Sequence, residues 1–391
     1  MIKILSFTAL YPNPAKPRFG VFVENRLRRL AETPQVALTV VAPVPWFPLT
    51  WERFGQYAAY ARVPRREVRH GIEVFHPRYP TIPKGVGLRM APTLLYRAAR
   101  GLVARLVHER QIDLIDAHVF YPDGVAAVRL AEEVGRPVCV TARGTDLNLY
   151  PKFPGLRRQI EWAARRADAL ITVCDALQRP LLDMGIDPTK ITTLRNGVDL
   201  DLFRPLDPDD ARRRWAVDGR IIISVGWLIE RKGHHLVIEA MKSLPDTTLL
   251  IAGAGEDRGR LERQIAVAGL SGRVRLLGEL AHEDLPSLYS AADALVLASS
   301  REGWANVLLE AMACGTPVVA TAVWGTAEVV AAPAAGVLIK ERSGTAIAEG
   351  VRTLFALLPE RAATRAYAER FSWDATTAGQ LELFRRLTGC R

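Results

Sequence analysis

The chain has 391 residues, 49% of them hydrophobic and 24% charged, with a formal net charge of +10. That length suits two domains better than one core, and no uncharged apolar run reaches the roughly 18 residues of a transmembrane helix. The positive excess sits in the first half: residues 1–200 hold 29 Lys/Arg against 18 Asp/Glu, and residues 201–391 hold 23 against 24.

In chain order, Ile2-Lys3-Ile4-Leu5-Ser6-Phe7 is too short for a signal peptide and is ended by Tyr11-Pro12-Asn13-Pro14, so it reads as a first buried strand. A helix near 20–32 and a strand over 37–42 follow, then a Pro-rich stretch from 43 to 92 expected to be irregular. Residues 51–100 carry 10 basic and 3 acidic side chains, accompanied by Trp46, Phe47, Trp51, Phe54, Tyr57 and Tyr60. Basic residues mixed with aromatics suit an anionic membrane surface; a solvated basic face is the other reading. No helix-turn-helix, zinc or RNA-binding signature accompanies the charge, so nucleic acid is not an expected partner. Cys139, Cys174, Cys314 and Cys390 lie far apart without metal-ligand spacing. These features point to the cytoplasm.

Helices near 93–110, 123–134, 154–166 and 175–185 alternate with strands at 114–118, 137–141, 169–173 and 191–194. A second series has strands at 221–225, 248–252, 274–277, 294–297 and 317–320, with helices near 233–243, 257–269, 284–291, 304–314 and 345–357. Two alternating series imply two parallel sheets covered on both faces. The Pro-rich polar segment 203–209 marks the boundary, giving an acceptor domain over 1–204, a donor domain over 205–372 and a terminal helix over 373–391.

Ligands of open parallel sheets bind beyond the carboxyl ends of strands, so motifs that follow strands carry the chemistry. The richest is 298–319, in which a strand ends near Ala298, a loop carries Glu302 and Gly303, and a helix begins near Trp304, Ala305 and Asn306. The amides of a helix start form an anion site suited to a diphosphate. Glu302 precedes that start and Glu310 lies about one and a half turns past Asn306. Two acids flanking an anion site match the two sugars of a nucleoside-diphosphate sugar.

Glu302 and Glu310, with seven residues between them and Ala311–Val319 following, resemble the Glu-x(7)-Glu signature of family 4 glycosyltransferases. The resemblance covers nearly the whole chain. It implies an α/β GT-B fold, in which two facing Rossmann-like domains with parallel sheets close on an inter-domain cleft. It also implies retention of anomeric configuration. Glu302 takes the role of binding the donor hexose, Glu310 that of binding the ribose, the amides near Asn306 and Val307 meet the diphosphate, and Gly303, Trp304 and Ala305 between them are expected among the donor contacts. Gly226-Trp227-Leu228 and Arg231-Lys232-Gly233 are similar to the family's Gly-Arg-Leu…Lys-Gly, which makes Lys232 the diphosphate lysine. Trp227 stands where arginine is usual, and Arg231 is the candidate substitute. Gly253 and Leu280, each just past a strand, line the nucleotide side.

In the first half, Gly20 resembles the glycine that approaches the diphosphate. His118 matches the histidine near the reacting sugar, making it a catalytic candidate with Glu302 and Lys232. Arg143 and Asp146 stand in the family's His-Gly-x-Asp position as acceptor contacts. Asn196-Gly197 reads as a structural turn. The string Tyr11–Pro14 with Phe19–Arg26 looks like a subgroup tied to teichuronic acid and other envelope polysaccharides.

The resulting expectation is a hexosyltransferase that takes a nucleotide sugar, a UDP-sugar first, and transfers it to a lipid-linked or glycan acceptor. It needs no metal or further cofactor, and it is peripheral on the inner face of the cell membrane. The alternatives are a GT-B sugar-nucleotide epimerase and a non-catalytic nucleotide-sugar or surface-binding protein. A nicotinamide dehydrogenase is disfavoured because residues 8–20 lack Gly-x-Gly-x-x-Gly.

Overall fold

The computed structural model describes residues 1–47, 51, 56–82 and 84–389. Phe54 and the side chains of Tyr57 and Lys84, counted above toward a basic aromatic surface, lie outside the described residues, as does Cys390.

The chain divides into two units, Met1–Arg195 with the residues from Ala375 on, and Asn196–Asp374. The first boundary thus falls before the proline-rich segment 203–209. The stretch after Arg195 belongs with the second unit because Val198 N donates to Phe371 O at 2.9 Å and Arg365 Nη1 to Phe203 O at 2.5 Å.

The first unit is built on an eight-stranded sheet and a small two-stranded one. In chain order the strands are β1 (Ile2–Phe7), β2 (Val36–Val41), β3 (Val44–Pro45), β4 (Arg66–Arg69), β5 (Ile72–Phe75), β6 (Arg78–Tyr79), β7 (Leu114–His118), β8 (Val138–Ala142), β9 (Ala169–Thr172) and β10 (Ile191–Thr193). The large sheet runs β10-β9-β8-β7-β1-β2-β5-β4, and β3 pairs with β6. β7 and β8 are buried at every position, as continuous apolar runs covered on both faces should be. Ile2, Ile4, Leu114, Cys139 and Ile171 pack there with Leu381 and Phe384 of the C-terminal helix Trp373–Thr388.

The segment expected to be irregular holds the helix Gln56–Arg62, four strands and the start of the helix Lys84–Arg110. β4 is antiparallel to β5 and closes the edge of an otherwise parallel sheet. Three of its four residues, Arg66, Glu67 and Arg69, are charged, and its turn residues His70 and Gly71 have φ of 49° and 77°, the left-handed pair of a type I′ hairpin. The helix expected near 93–110 starts earlier, at Lys84, and Pro92 lies inside it.

The second unit has one six-stranded parallel sheet: β11 (Arg220–Val225), β12 (Thr247–Ala252), β13 (Val274–Gly278), β14 (Ala294–Leu297), β15 (Val318–Thr321) and β16 (Gly336–Ile339), in the order β13-β12-β11-β14-β15-β16. Ile222, Leu249, Ile251 and Val296 pack with Val237, Ile347 and Val351 of the covering helices. β16 begins at a glycine and is only half-buried along most of its length, so its apolar signal is weak. Among the described residues no helix is long and apolar enough to cross a membrane.

Candidate functional site

Both sheets have a switch point, where successive strands are laid down first to one side and then to the other. In the second unit it falls between β11 and β14, and in the first between β7 and β1. A crevice opens there beyond the carboxyl ends of the strands, and the sequence candidates gather at these two places.

In the second unit the loop after β11 carries Gly226 through Gly233, and the loop after β14 carries Ala298 through Ala305. Gly233 has φ 76°, and a Cβ on it would fall 2.1 Å from Ala298 O. Only glycine permits this approach, which brings the two loops into contact. Ser300 N donates to Arg231 O at 2.9 Å, and Arg231 Nη1 donates to Arg301 O at 2.9 Å. Lys232 Nζ then reaches Glu302 Oε1 at 2.7 Å, joined by Ser299 Oγ at 2.7 Å and Arg231 Nη1 at 3.5 Å. Glu302 is 8% exposed. Burial pushes its carboxyl up, but the neighbouring charges of Lys232 and Arg231 and the bonds from Lys232 and Ser299 outweigh burial and hold it below the usual range. The result is a buried, ionised carboxylate on a lysine.

The helix Asn306–Ala313 starts beside this pair. Its N-cap, Ala305, is non-helical and offers no side-chain cap; Leu308 N turns back to Ala305 O at 3.0 Å, which leaves the amides of Asn306 and Val307 at the helix start for a ligand. Asn196 steadies this end: its O accepts from Trp304 Nε1 at 3.0 Å, and its Nδ2 donates to Asn306 Oδ1 at 3.4 Å. Trp304 is buried against Phe371, with ring centroids 5.9 Å apart. Trp304 and the buried Ala305 therefore face the core, and what this stretch can offer a ligand is backbone. Gly303 is likewise buried, while Val307 is half-buried in the first turn.

Glu310 lies further along the same helix. Tyr289 Oη donates to its Oε2 at 2.8 Å, and His282 Nε2 lies 3.9 Å from its Oε1. Tyr289 is fully buried. Burial tends to lower the pKa of His282, but the hydrogen bond and charge of Glu310 raise it above the ordinary value. Neither Tyr289 nor His282 stood out in the sequence. Tyr289 sits in an apolar helix and reads as core, and His282 is a lone histidine. Ser299, on Glu302, is equally inconspicuous.

Gly253 sits on Gly226, its virtual Cβ 1.9 Å from Gly226 O, and its N donates to Gly278 O at 2.7 Å. The turns after β11, β12 and β13 thus stack backbone to backbone, with Leu280 half-buried just beyond. Trp227 projects from this stack 54% exposed, while the cation beside Lys232 is Arg231.

In the first unit Gly20, with φ 79°, precedes the helix Val21–Ala31 and packs against Leu10 O, 2.3 Å from a virtual Cβ. His118 ends β7, fully buried. Arg143 follows β8, and its Nη2 lies 2.7 Å from His118 Nδ1. His118 Nε2 is 3.1 Å from Asp116 Oδ2, too poorly aligned for a hydrogen bond. Asp116 Oδ2 accepts from Gln380 Nε2 at 3.3 Å, and Gln380 Oε1 accepts from the buried Arg26 Nε at 3.0 Å. Burial pushes the His118 pKa down to about 4, against the opposing pull of Asp116. Val119, next along, has φ 72°, a strained conformation for a β-branched residue.

Asp146, read from the sequence as an acceptor contact, is buried and clamps its own loop. Its carboxylate accepts from Phe120 N at 2.7 Å, Gly144 N at 2.6 Å and Arg143 N at 3.1 Å. The structure therefore brings His118 and Arg143 together and gives Asp146 to the backbone. Among the described residues no group of three or more His, Cys, Asp or Glu is placed to hold a metal ion.

Known proteins resemble this chain over most of its length. Residues 20–202 match the model of Glycosyltransferase Family 4, and residues 207–371 match that of Glycosyl transferases group 1. TuaC of Bacillus subtilis (strain 168), assigned as a teichuronic acid biosynthesis glycosyltransferase, is 29% identical over 90% of this chain and 88% of its own length. A D-inositol 3-phosphate glycosyltransferase of Mycobacterium bovis (strain BCG / Pasteur 1173P2) is 35% identical over 57% of this chain and 49% of its own length. Among solved structures, sucrose-phosphate synthase from Thermosynechococcus elongatus superimposes with a TM-score of 0.80 at 20% identity, over 100% of both chains. Anabaena HepE in complex with UDP-glucose gives 0.73 at 23% identity, over 99% of this chain and 100% of HepE. The fold is that of the GT-B glycosyltransferases, two Rossmann-like domains each with a parallel sheet. The chain belongs to the family 4 glycosyltransferases.

Proposed function

We propose that the protein is a retaining hexosyltransferase that takes its sugar from a nucleoside diphosphate, a UDP-sugar first, and delivers it to a lipid-linked or polysaccharide acceptor in cell-envelope glycan synthesis. The observation that carries this reading is the Lys232–Glu302 pair, 2.7 Å across, beside the uncapped start of the helix Asn306–Ala313. A cation, a buried carboxylate and the uncapped amides of Asn306 and Val307 at one switch point match a diphosphate joined to a sugar with hydroxyls.

In this reading Lys232, Arg231 and the amides of Asn306 and Val307 neutralise the diphosphate, so no metal is called upon. Glu302 accepts from the donor hexose and Glu310 from the ribose. The bond from the anomeric carbon to the diphosphate oxygen breaks, and the bond to the acceptor oxygen forms on the same face. The acceptor proton passes to the departing diphosphate oxygen. Support for uridine comes from HepE, solved with UDP and with UDP-glucose, and support for an envelope glycan from the likeness to TuaC.

A lipid-linked acceptor fits the first unit's surface. Val86, Leu88 and Met90 are exposed at the start of the helix Lys84–Arg110, Phe153 is exposed two residues before Gly155, which lies against Arg89, and Trp46 and Trp51 are more than half exposed. Apolar side chains among arginines suit the cytoplasmic face of an anionic bilayer. The test is a panel of UDP-glucose, UDP-galactose, UDP-N-acetylglucosamine and GDP-mannose, scored by thermal shift and then by product analysis with and without acceptor. A UDP-sugar that stabilises the protein and is transferred with retention supports the reading. Isomerisation of the donor without acceptor would replace it with an epimerase.

A further inference from the structure

The contact between His118 and Arg143 bears on what the acceptor carries. A guanidinium has N–H donors only, so at 2.7 Å from Arg143 Nη2 the Nδ1 of His118 must be the acceptor. The ring proton is then on Nε2, which faces Asp116 Oδ2 at 3.1 Å. The imidazole is neutral, wholly buried, and turned to protein at both nitrogens. Its Nδ1 edge is taken by Arg143, while its Nε2 lies beside Asp116 without an aligned hydrogen bond.

Arg143 stands above it, partly exposed, just past the end of β8. β8, β7 and β1 are neighbours in the sheet, so Arg143, His118 and the Gly20 segment share the crevice at the switch point. Phe22 of that segment lies under the guanidinium, its ring centroid 5.6 Å from Cζ. A histidine lone pair and an aromatic face thus fix a planar, bidentate cation at the ligand end of the sheet. That group is suited to carboxylate or phosphate.

We propose that Arg143 is the oxyanion receptor of the acceptor site, and that His118 is a positioning residue that holds it. The acceptor then carries a carboxylate or phosphate close to the hydroxyl that is glycosylated. Behind His118, Asp116 is bonded to Gln380, and Gln380 to Arg26, so the chain of support runs through the C-terminal helix and ends in the helix Val21–Ala31. The proposal rests on the glycosyl transfer proposed above, in that it names the acceptor of that reaction.

The test is acceptor binding to the full-length protein by calorimetry, with and without UDP. Three probes are compared: a glucuronate-terminated oligosaccharide, its neutral methyl ester, and a polyprenyl-diphosphate N-acetylglucosamine in micelles. Wild type should prefer at least one anionic probe over the ester by ~10-fold or more, and which one tells carboxylate from phosphate. Arg143→Gln should bring that preference to near unity while UDP affinity stays unchanged. His118→Leu should do the same. His118→Asn, which keeps an acceptor where Nδ1 lies, should restore most of it. An equal affinity of wild type for charged and neutral probes, or a preference that survives Arg143→Gln, would overturn the proposal. So would a His118→Asn as deficient as His118→Leu, because the ring itself would then be the contact. Failure of UDP to bind wild type would count against the donor reading alone, since the anion preference is also read without UDP.

Discussion

Lys232 and Glu302, seventy residues apart in sequence, share one hydrogen bond of 2.7 Å, and Glu302 is nearly sealed from solvent. Each is the other's main compensation until a ligand separates them. A diphosphate offers Lys232 a replacement anion, and sugar hydroxyls offer Glu302 replacement donors, so donor binding exchanges one satisfied arrangement for another. Removing one partner alone does not. Lys232→Ala takes from a buried carboxylate its closest cation, and should cost about 3 kcal/mol of stability, read as a lower urea midpoint. Lys232→Ala with Glu302→Gln should recover much of that loss.

Gly233→Ala tests the contact that aligns the two loops. Its φ of 76° and the 2.1 Å approach to Ala298 O leave no room for a methyl group. The substitution should destabilise by at least about 2 kcal/mol through strain and loop displacement. It should also weaken UDP binding, because Lys232 moves with the loop. Calorimetric melting and a UDP titration check both effects.

Tyr289→Phe removes the 2.8 Å bond to Glu310 and leaves the ring in place. If Glu310 holds the ribose, the donor KM should rise about 3- to 10-fold with kcat little changed, in line with one lost hydrogen bond of ~1 kcal/mol. A comparable fall in kcat would show that Glu310 acts at the reacting centre instead. Steady-state kinetics at varied donor concentration decides.

Stability should depend on pH through two opposed sets of buried groups. His118 and His234 both have pKa lowered by burial to about 4. Between their unfolded value near 6.5 and 4 the unfolded chain binds more protons, so each takes stability away as pH falls through that window. Asp123 is raised by burial to about 7, despite bonds from Ala9 N and Thr8 Oγ1. There the native state binds more protons, and stability is lost as pH rises from about 4 to 7. Asp123→Asn should abolish its share, a slope of at most about 1.4 kcal/mol per pH unit. The variant should gain relative to wild type above pH 7 and steepen the acid limb below 6.5. Urea unfolding at pH 5 and pH 8 reads the difference.

Much of the fold was legible because strands buried on both faces are continuous apolar runs, as in β7, β8 and β14, and the helices between them are long. The segment 43–92 was not legible. In β4 and β5 charges such as Glu67, Glu73 and Arg69 interrupt the apolar pattern, and a His70–Gly71 turn is a weak hairpin signal. Glu302, Glu310 and Lys232 were legible as members of a motif, but their partners were not. Nothing in the sequence says that Lys232 lies on Glu302, or that Tyr289, in an apolar helix, ends on Glu310. Trp304 looked like a ligand contact because of its place in the motif, yet its indole is spent on Asn196 and Phe371. Asp146 shows the same limit, since an aspartate after a strand can serve a ligand or its own loop, and three amides decide for the loop.

The central claim is that the segment from Glu302 to Glu310, with Lys232, grips a nucleotide sugar. It is tested most directly by measuring UDP affinity and glycosyl transfer side by side in Glu302→Ala and Lys232→Ala. Glu302→Ala should bind UDP within about 3-fold of wild type and lose transfer by at least ~100-fold. Lys232→Ala should lose UDP affinity by ~10-fold or more. Normal transfer by Glu302→Ala, or undiminished UDP binding by Lys232→Ala, would contradict the account.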